Sequence, residues 1–185
     1  MTTIRAKIVD DFAKWTALSA LRSGAPIKAK QKIDKLLEQS ADFRPLFDSS
    51  LGKISPEEFD QWHERTVHTF CEDEPGLKGQ IGWAAKIINV YLKTRVYLAG
   101  EGREGLVAAI HPPIDNGLVR GLKRNFPKGA WEIQSIKGIT SYQDHYIPFI
   151  CQCGEVTQKK GWLLIEVEFY WQPLNSQPEI TLETN

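Results

Sequence analysis

In "GWAAKIINVYLKT", residues 82–94, two amines and an amide interrupt a run that is otherwise apolar: Lys86, Asn89 and Lys93. A helix turns by about 100° per residue, which puts Lys93 and Tyr97 within about 20° of Lys86, Gly82 about 40° away and Asn89 about 60° away. These five residues share one narrow strip, while Trp83, Ile87, Ile88, Tyr91 and Leu92 help fill the rest of the circumference. Such a strip has two readings. It is a thin wet face along which lysine stems reach water, or it is the floor of a groove where Lys86 and Lys93 meet an anion or an electrophile. An ammonium withdrawn from water gives up its proton more readily, and the neutral amine is then a nucleophile.

Further along, "HPPIDNGLVRGLKRN" places Asp115 just ahead of a helix-compatible run. Aspartate in that position accepts the first free amides of a helix, which is a sufficient reason for its presence. His111 precedes two prolines and is held rigidly near Asp115. Arg120, Lys123 and Arg124 recur at i, i+3, i+4, so they share one helix side, a spacing that suits contacts to phosphates.

Other constellations carry less. Cys151 and Cys153 with His145 lack the paired spacing of a structural zinc site. His63 and His68 are five apart and do not share a helix face. Glu166 and Glu168 share a face on a strand but not on a helix. No glycine-rich phosphate loop and no serine-hydrolase elbow is present. The residues therefore imply no metal and no cofactor.

The elements that must position these groups read as helices. Ile4, Ile8, Phe12, Trp15 and Leu18 recur at helical spacing and predict a first helix over 3–22, stopped by Gly24. Pro26 suits the first turn of a second helix through "IKAKQKIDKLLEQ". Ser55, Pro56 and Glu58 predict a helix start with a capping box, followed by a buried stripe of Phe59, Trp62, Thr66 and Phe70. The central helix spans about 80–99, with Gly100 as its stop. "HPPID" is extended, because proline disfavours helix in the residue before it, and Asp115 caps a helix over 116–125. Ser141 starts a helix that Pro148 disturbs. "GWLLIEVEFYW", within 161–171, alternates like a strand but has no second strand to pair with, so it reads as helix or strand. The expected architecture is an all-α single domain over 1–172 around the central helix, with a polar tail over 173–185.

Lysine plus arginine and aspartate plus glutamate both number 23. A dedicated polyanion binder usually carries a basic excess, so the balance weighs against one. The charge is nonetheless patchy: residues 57–74 are strongly acidic, while 117–137 and the stretch from Arg22 to Lys35 are basic. No leader-like apolar run opens the chain and none is long enough to span a membrane. Three cysteines cannot all pair with one another. A cytoplasmic location with reduced thiols is the expectation.

The segment from Lys86, "KIINVYLKT", resembles the lysine-bearing helix of the helix-hairpin-helix DNA glycosylase superfamily at Lys86, Asn89, Val90 and Leu92. "PIDNGLVRGL" is similar to that superfamily's aspartate segment at Asp115, Leu118 and Arg120. Gly82 stands four residues before Lys86 where the family's hairpin glycine stands two before, and Gly117 stands where the family often has histidine. The resemblance covers about forty residues. It implies DNA as partner and a nucleotide flipped into a pocket beside the strip. It further implies Lys86 forming a Schiff base with the sugar and Asp115 deprotonating it or stabilising the cationic sugar. Lys93, Arg120, Lys123 and Arg124 would then hold phosphates, with Asn89, Tyr97 and His111 in support. More loosely, "HPPID", "SYQDHY" and "EVEFYW" resemble uncharacterised bacterial helical proteins. The competing expectation is a helical protein-interaction module, or a homo-oligomer, without chemistry of its own.

Overall fold

The computed structural model describes residues 3–21, 24–129 and 131–173, and every regular element in them is helical. The helices are α1 (Ile4–Ser19), α2 (Lys30–Lys35), α3 (Arg44–Phe47), α4 (Pro56–Asp73), α5 (Ile81–Leu92), α6 (Leu106–Ala109), α7 (Asn116–Asn125) and α8 (Ile147–Gln158). π-helical turns extend α2 over Leu36–Ser40 and α5 over Lys93–Leu98, and a third, Tyr142–Tyr146, leads into α8. The uncertain segment near the C-terminus is a 3₁₀-helix, Leu164–Tyr170. Most of the predicted polar tail lies outside the described residues. Among those described, no helix is long and apolar enough to cross a membrane.

Local chemistry sets the starts. Thr3 accepts the amide of Ala6 at 3.1 Å, and Ser55 accepts that of Glu58 at 3.2 Å with Pro56 in the first turn. The capping box expected there forms only in half. The Glu58 carboxylate turns instead to the guanidinium of Arg103, 2.7 Å away and buried. That guanidinium also donates to the carbonyls of Pro45, Leu51, Gly52 and Lys53. A buried cation without a counter-charge costs far more than one missing cap bond.

Two expectations are corrected here. The second helix begins at Lys30, not near Pro26, because residues 25–29 run non-helically and seat Ile27 in the core. The stripe on α1 faces outward: Ile4, Ile8, Phe12 and Trp15 are 52–82% exposed. Helix α1 packs on α5 with Ala13 and Ala17 wholly buried, small side chains that permit close approach. The helix that starts at Ser141 is irregular where expected: its first residues, Tyr142–Tyr146, form the π-helical turn, and regular α-geometry begins only at Ile147, with Pro148 in the first turn of α8.

Helix α5 is the axis of the core. Helices α1 and α4 pack against it on different sides, and of its own residues only Val90 is not buried. Each fully buried isoleucine or leucine, such as Ile87, Ile88 and Leu92, contributes about 1.5–3 kcal/mol. Asn89 sits in the middle of this face, 1% exposed. Its Oδ1 accepts from His63 Nε2 at 2.8 Å, and its Nδ2 donates to the Pro112 carbonyl at 3.0 Å and to Tyr146 Oη at 2.8 Å. The chain of bonds continues outward at both ends. Tyr142 Oη donates to His63 Nδ1 at 2.8 Å. Tyr146 Oη donates to His111 Nδ1 at 3.1 Å, and His111 Nε2 meets Asp60 at 2.9 Å. With both imidazoles neutral, every donor in this network finds an acceptor.

Burial chiefly, and then the neighbouring His111, hold the His63 imidazole well below its ordinary pKa of 6.5. The folded state therefore binds less proton than the unfolded chain as pH falls through that value. The stabilising contribution is complete above about pH 6.5 and declines below it, by up to about 1.4 kcal/mol per pH unit. Urea unfolding between about pH 7 and pH 5 should show that decline, reduced in His63→Phe relative to its own neutral-pH stability; equal slopes in the two proteins would refute the assignment.

Candidate functional site

Lys86 and Asp115 come together. Helix α5 carries Lys86 on the turn before Asn89, and the bond from Asn89 to the Pro112 carbonyl fixes the extended 110–114 segment that ends at Asp115. Lys86 Nζ lies 3.3 Å from Asp115 Oδ2. The lysine is buried and its ammonium stands 5.6 Å from the centre of the Trp83 ring. Asp115 is also the cap of α7, as its position predicts: Oδ1 accepts the amides of Gly117 at 2.8 Å and Leu118 at 3.0 Å. The carboxylate is thus pinned through one oxygen and turns the other to the amine.

A cleft of about 230 Å³ opens over this pair, lined by Ala20, Val90, Lys93, Pro113, Glu168 and Trp171 as well. Lys93 is ion-paired with Glu168. Burial raises the Glu168 pKa, against the opposing pull of Lys93; Asp115 reinforces the rise and Lys86 lessens it. The cleft therefore holds two amines and two carboxylates, neutralised in pairs. It suits proton exchange around an amine better than capture of a free polyanion.

The C-terminal segment roofs the cleft. Trp171 Nε1 donates to Asp115 Oδ1 at 2.9 Å, the Gln172 amide donates to the Gly117 carbonyl, and Arg120 donates to the Gln172 carbonyl at 3.1 Å. Two glycines one turn apart on α7 make room for it. A Cβ on Gly117 would lie 2.3 Å from Trp171 Nε1, and one on Gly121 would lie 1.6 Å from the Tyr170 carbonyl oxygen.

The remaining predicted residues divide. Lys93 lines the cleft, and Tyr97 lines a cavity next to it, donating to Glu166 at 3.0 Å. Asn89 and His111 do not face the cleft; both belong to the buried network, because the edge of the strip occupied by Asn89 turns toward α4 and Tyr146. Arg120 is engaged with the C-terminal segment, and Lys123 donates to Gln134. Arg124 is exposed and has no partner among the described residues. In the first turn of α5, the Gly82 amide donates to the Ile139 carbonyl at 3.0 Å, so it is committed inside the molecule. Glu168 and Trp171 were not singled out from the sequence as partners of Lys86 and Asp115. Their signal was the acidic-aromatic alternation of "EVEFYW", which reveals a half-buried segment but not its partner.

No family model, curated protein or solved structure matches the chain.

Gly121→Ala should displace the roof from α7 and destabilise the protein by about 1–3 kcal/mol, the usual cost of overpacking. Chemical denaturation measures this, and an unchanged midpoint would show that the Tyr170 carbonyl does not rest on α7.

Proposed function

We propose that the chain binds nucleic acid and acts with Lys86 on the exposed sugar of an abasic or flipped nucleotide. The observation that carries this reading is the Lys86–Asp115 pair at 3.3 Å, with the amine largely withdrawn from water at the foot of a small cleft. Few structural roles need an amine there, since a methylene chain would fill the same space without a desolvated charge. The chemistry starts when a proton leaves the Lys86 ammonium, with the carboxylate of Asp115 as its nearest acceptor. The neutral amine adds to C1′ of the ring-opened sugar aldehyde, and the resulting carbinolamine loses water to give an iminium. Asp115 faces the cation so formed and balances its charge. Trp171 and the segment 171–173 lie across the approach, so a nucleotide reaches Lys86 by moving this roof or by entering beside it. Arg124, Lys128 and Lys137 are exposed on the basic stretch and are available for phosphates.

A second reading, a protein-interaction module, is favoured by one specific observation. The outward stripe of α1 includes Phe12 and Trp15, stacked with ring centres 5.5 Å apart, and contiguous exposed apolar surface of this kind marks interaction sites.

Borohydride reduces an iminium to a stable amine, so incubation with an abasic duplex and borohydride should give a covalent protein–DNA adduct. Lys86→Ala should give none while unfolding at a similar or higher denaturant concentration, because it removes a desolvated charge from a partly open site. An adduct that persists in Lys86→Ala would place the reacting amine elsewhere. Its absence from the wild-type protein, with concentration-dependent sedimentation instead, would favour the interaction module.

A further inference from the structure

Beside the Lys86 cleft lies a second cavity of about 390 Å³, lined by Lys93, Tyr97, Trp162, Ile165, Glu166, Glu168 and Phe169. The two share Lys93 and Glu168. We propose that this cavity binds a nucleobase presenting a guanine-type edge, that is, two adjacent N–H donors next to an acceptor. The proposal rests on the reading of the Lys86 cleft for the kind of ligand expected, and on this cavity's own lining for the choice of base.

The walls are aromatic and accessible. Trp162 and Phe169 meet edge to face with centres 5.4 Å apart, Phe169 is 55% exposed and Tyr97 is 38% exposed. Exposed aromatic faces around a cavity floored by Ile165 offer a planar ring stacking and desolvation on the same side. The polar groups are fewer and more selective. Glu166 is held in place, accepting from Tyr97 Oη at 3.0 Å and from the Leu163 amide at 2.7 Å. Glu168 uses Oε2 on Lys93, and its Oε1 accepts no hydrogen bond among the described residues.

Carboxylates only accept and an ammonium only donates. The lining therefore asks for N–H groups facing Glu168, with a carbonyl oxygen close by for Lys93. The N1–H, N2–H₂ and O6 edge of guanine supplies donor, donor and acceptor in a row. Adenine sets its N1 lone pair, and cytosine its N3 lone pair, where a carboxylate waits. Thymine offers one N–H between two carbonyls. Repulsion between unshared lone pairs, as much as attraction, makes the choice.

The test uses the full chain labelled at the tryptophan indole nitrogens, titrated with each of the four 2′-deoxynucleoside 5′-monophosphates while the Trp162 resonance is followed. Inorganic phosphate is titrated in parallel to remove effects of the basic surface. The guanine nucleotide should shift the Trp162 signal saturably and bind about tenfold more tightly than the other three, the scale of one good bidentate contact. Phe169→Ala, a change at an exposed side chain, should weaken all four. Glu168→Gln should bring guanine down to the level of the rest. Equal shifts from all four nucleotides, none from the guanine nucleotide, or a preference that survives Glu168→Gln would overturn the proposal. Borohydride trapping on an abasic site involves no base, so failure there with guanine preference intact would sink the Lys86 reading alone. Trapping without any guanine preference would sink this one alone.

Discussion

A primary amide inside an apolar helix face is stable only if both of its ends are bonded, and the rest of the molecule is arranged around meeting that demand for Asn89. Its oxygen is satisfied by His63 on α4, and its nitrogen by the Pro112 carbonyl and by Tyr146. Three separate stretches of chain are thereby fixed against one residue of α5. An apolar side chain at that position would fill the space, but it would leave the Pro112 carbonyl and the His63 Nε2–H unbonded and take a donor from Tyr146 Oη, in a medium where each orphaned group costs about 1–3 kcal/mol. The network therefore specifies where the 110–114 segment lies more sharply than packing alone would.

That placement has a consequence one turn away. Lys86 precedes Asn89 on the same helix, and Asp115 follows Pro112 on the same extended segment. Fixing Asn89 to the Pro112 carbonyl fixes Lys86 against Asp115. The cap of α7 then orients the carboxylate, since the amides of Gly117 and Leu118 hold one oxygen and leave the other for the amine. Glu168 and Trp171 complete the surroundings because Gly117 and Gly121 let the C-terminal segment lie directly on α7. The site is assembled from elements distant in sequence, yet each is positioned by a bond that has its own structural reason.

Much of this was legible where the signal was local. Ser55 with Pro56, Asp115 with the run after it, and the breadth of apolar residues in 82–94 each state their role within a few positions, and the helix over 116–125 has the predicted ends. What the sequence could not convey was direction and partnership. Periodicity shows that Ile4, Ile8, Phe12 and Trp15 share a face, but not that the small face of Ala13 and Ala17 is the one that packs. Angular position put Asn89 on the lysine strip, but only the location of His63 and Tyr146 turns that edge inward. Residues 164–170 alternate like a strand and bury Ile165, Val167 and Tyr170 on a 3₁₀-helix, whose threefold period matches neither of the patterns usually sought. Glu168 reaches Lys93 through that geometry.

The Lys86–Asp115 cleft is proposed to recognise the sugar of a disrupted nucleotide. The most direct measurement is the affinity of the wild-type protein and of Lys86→Ala for one short duplex, intact or carrying a single abasic site, at low and at moderate salt. The wild-type protein should prefer the abasic duplex by about tenfold or more, a difference of about 1.4 kcal/mol; this ratio should survive the rise in salt, and Lys86→Ala should lose it. Equal affinity for the two duplexes that fades as salt is added would reduce the interaction to a basic surface, and no binding at low salt would rule out nucleic acid as the ligand of this cleft.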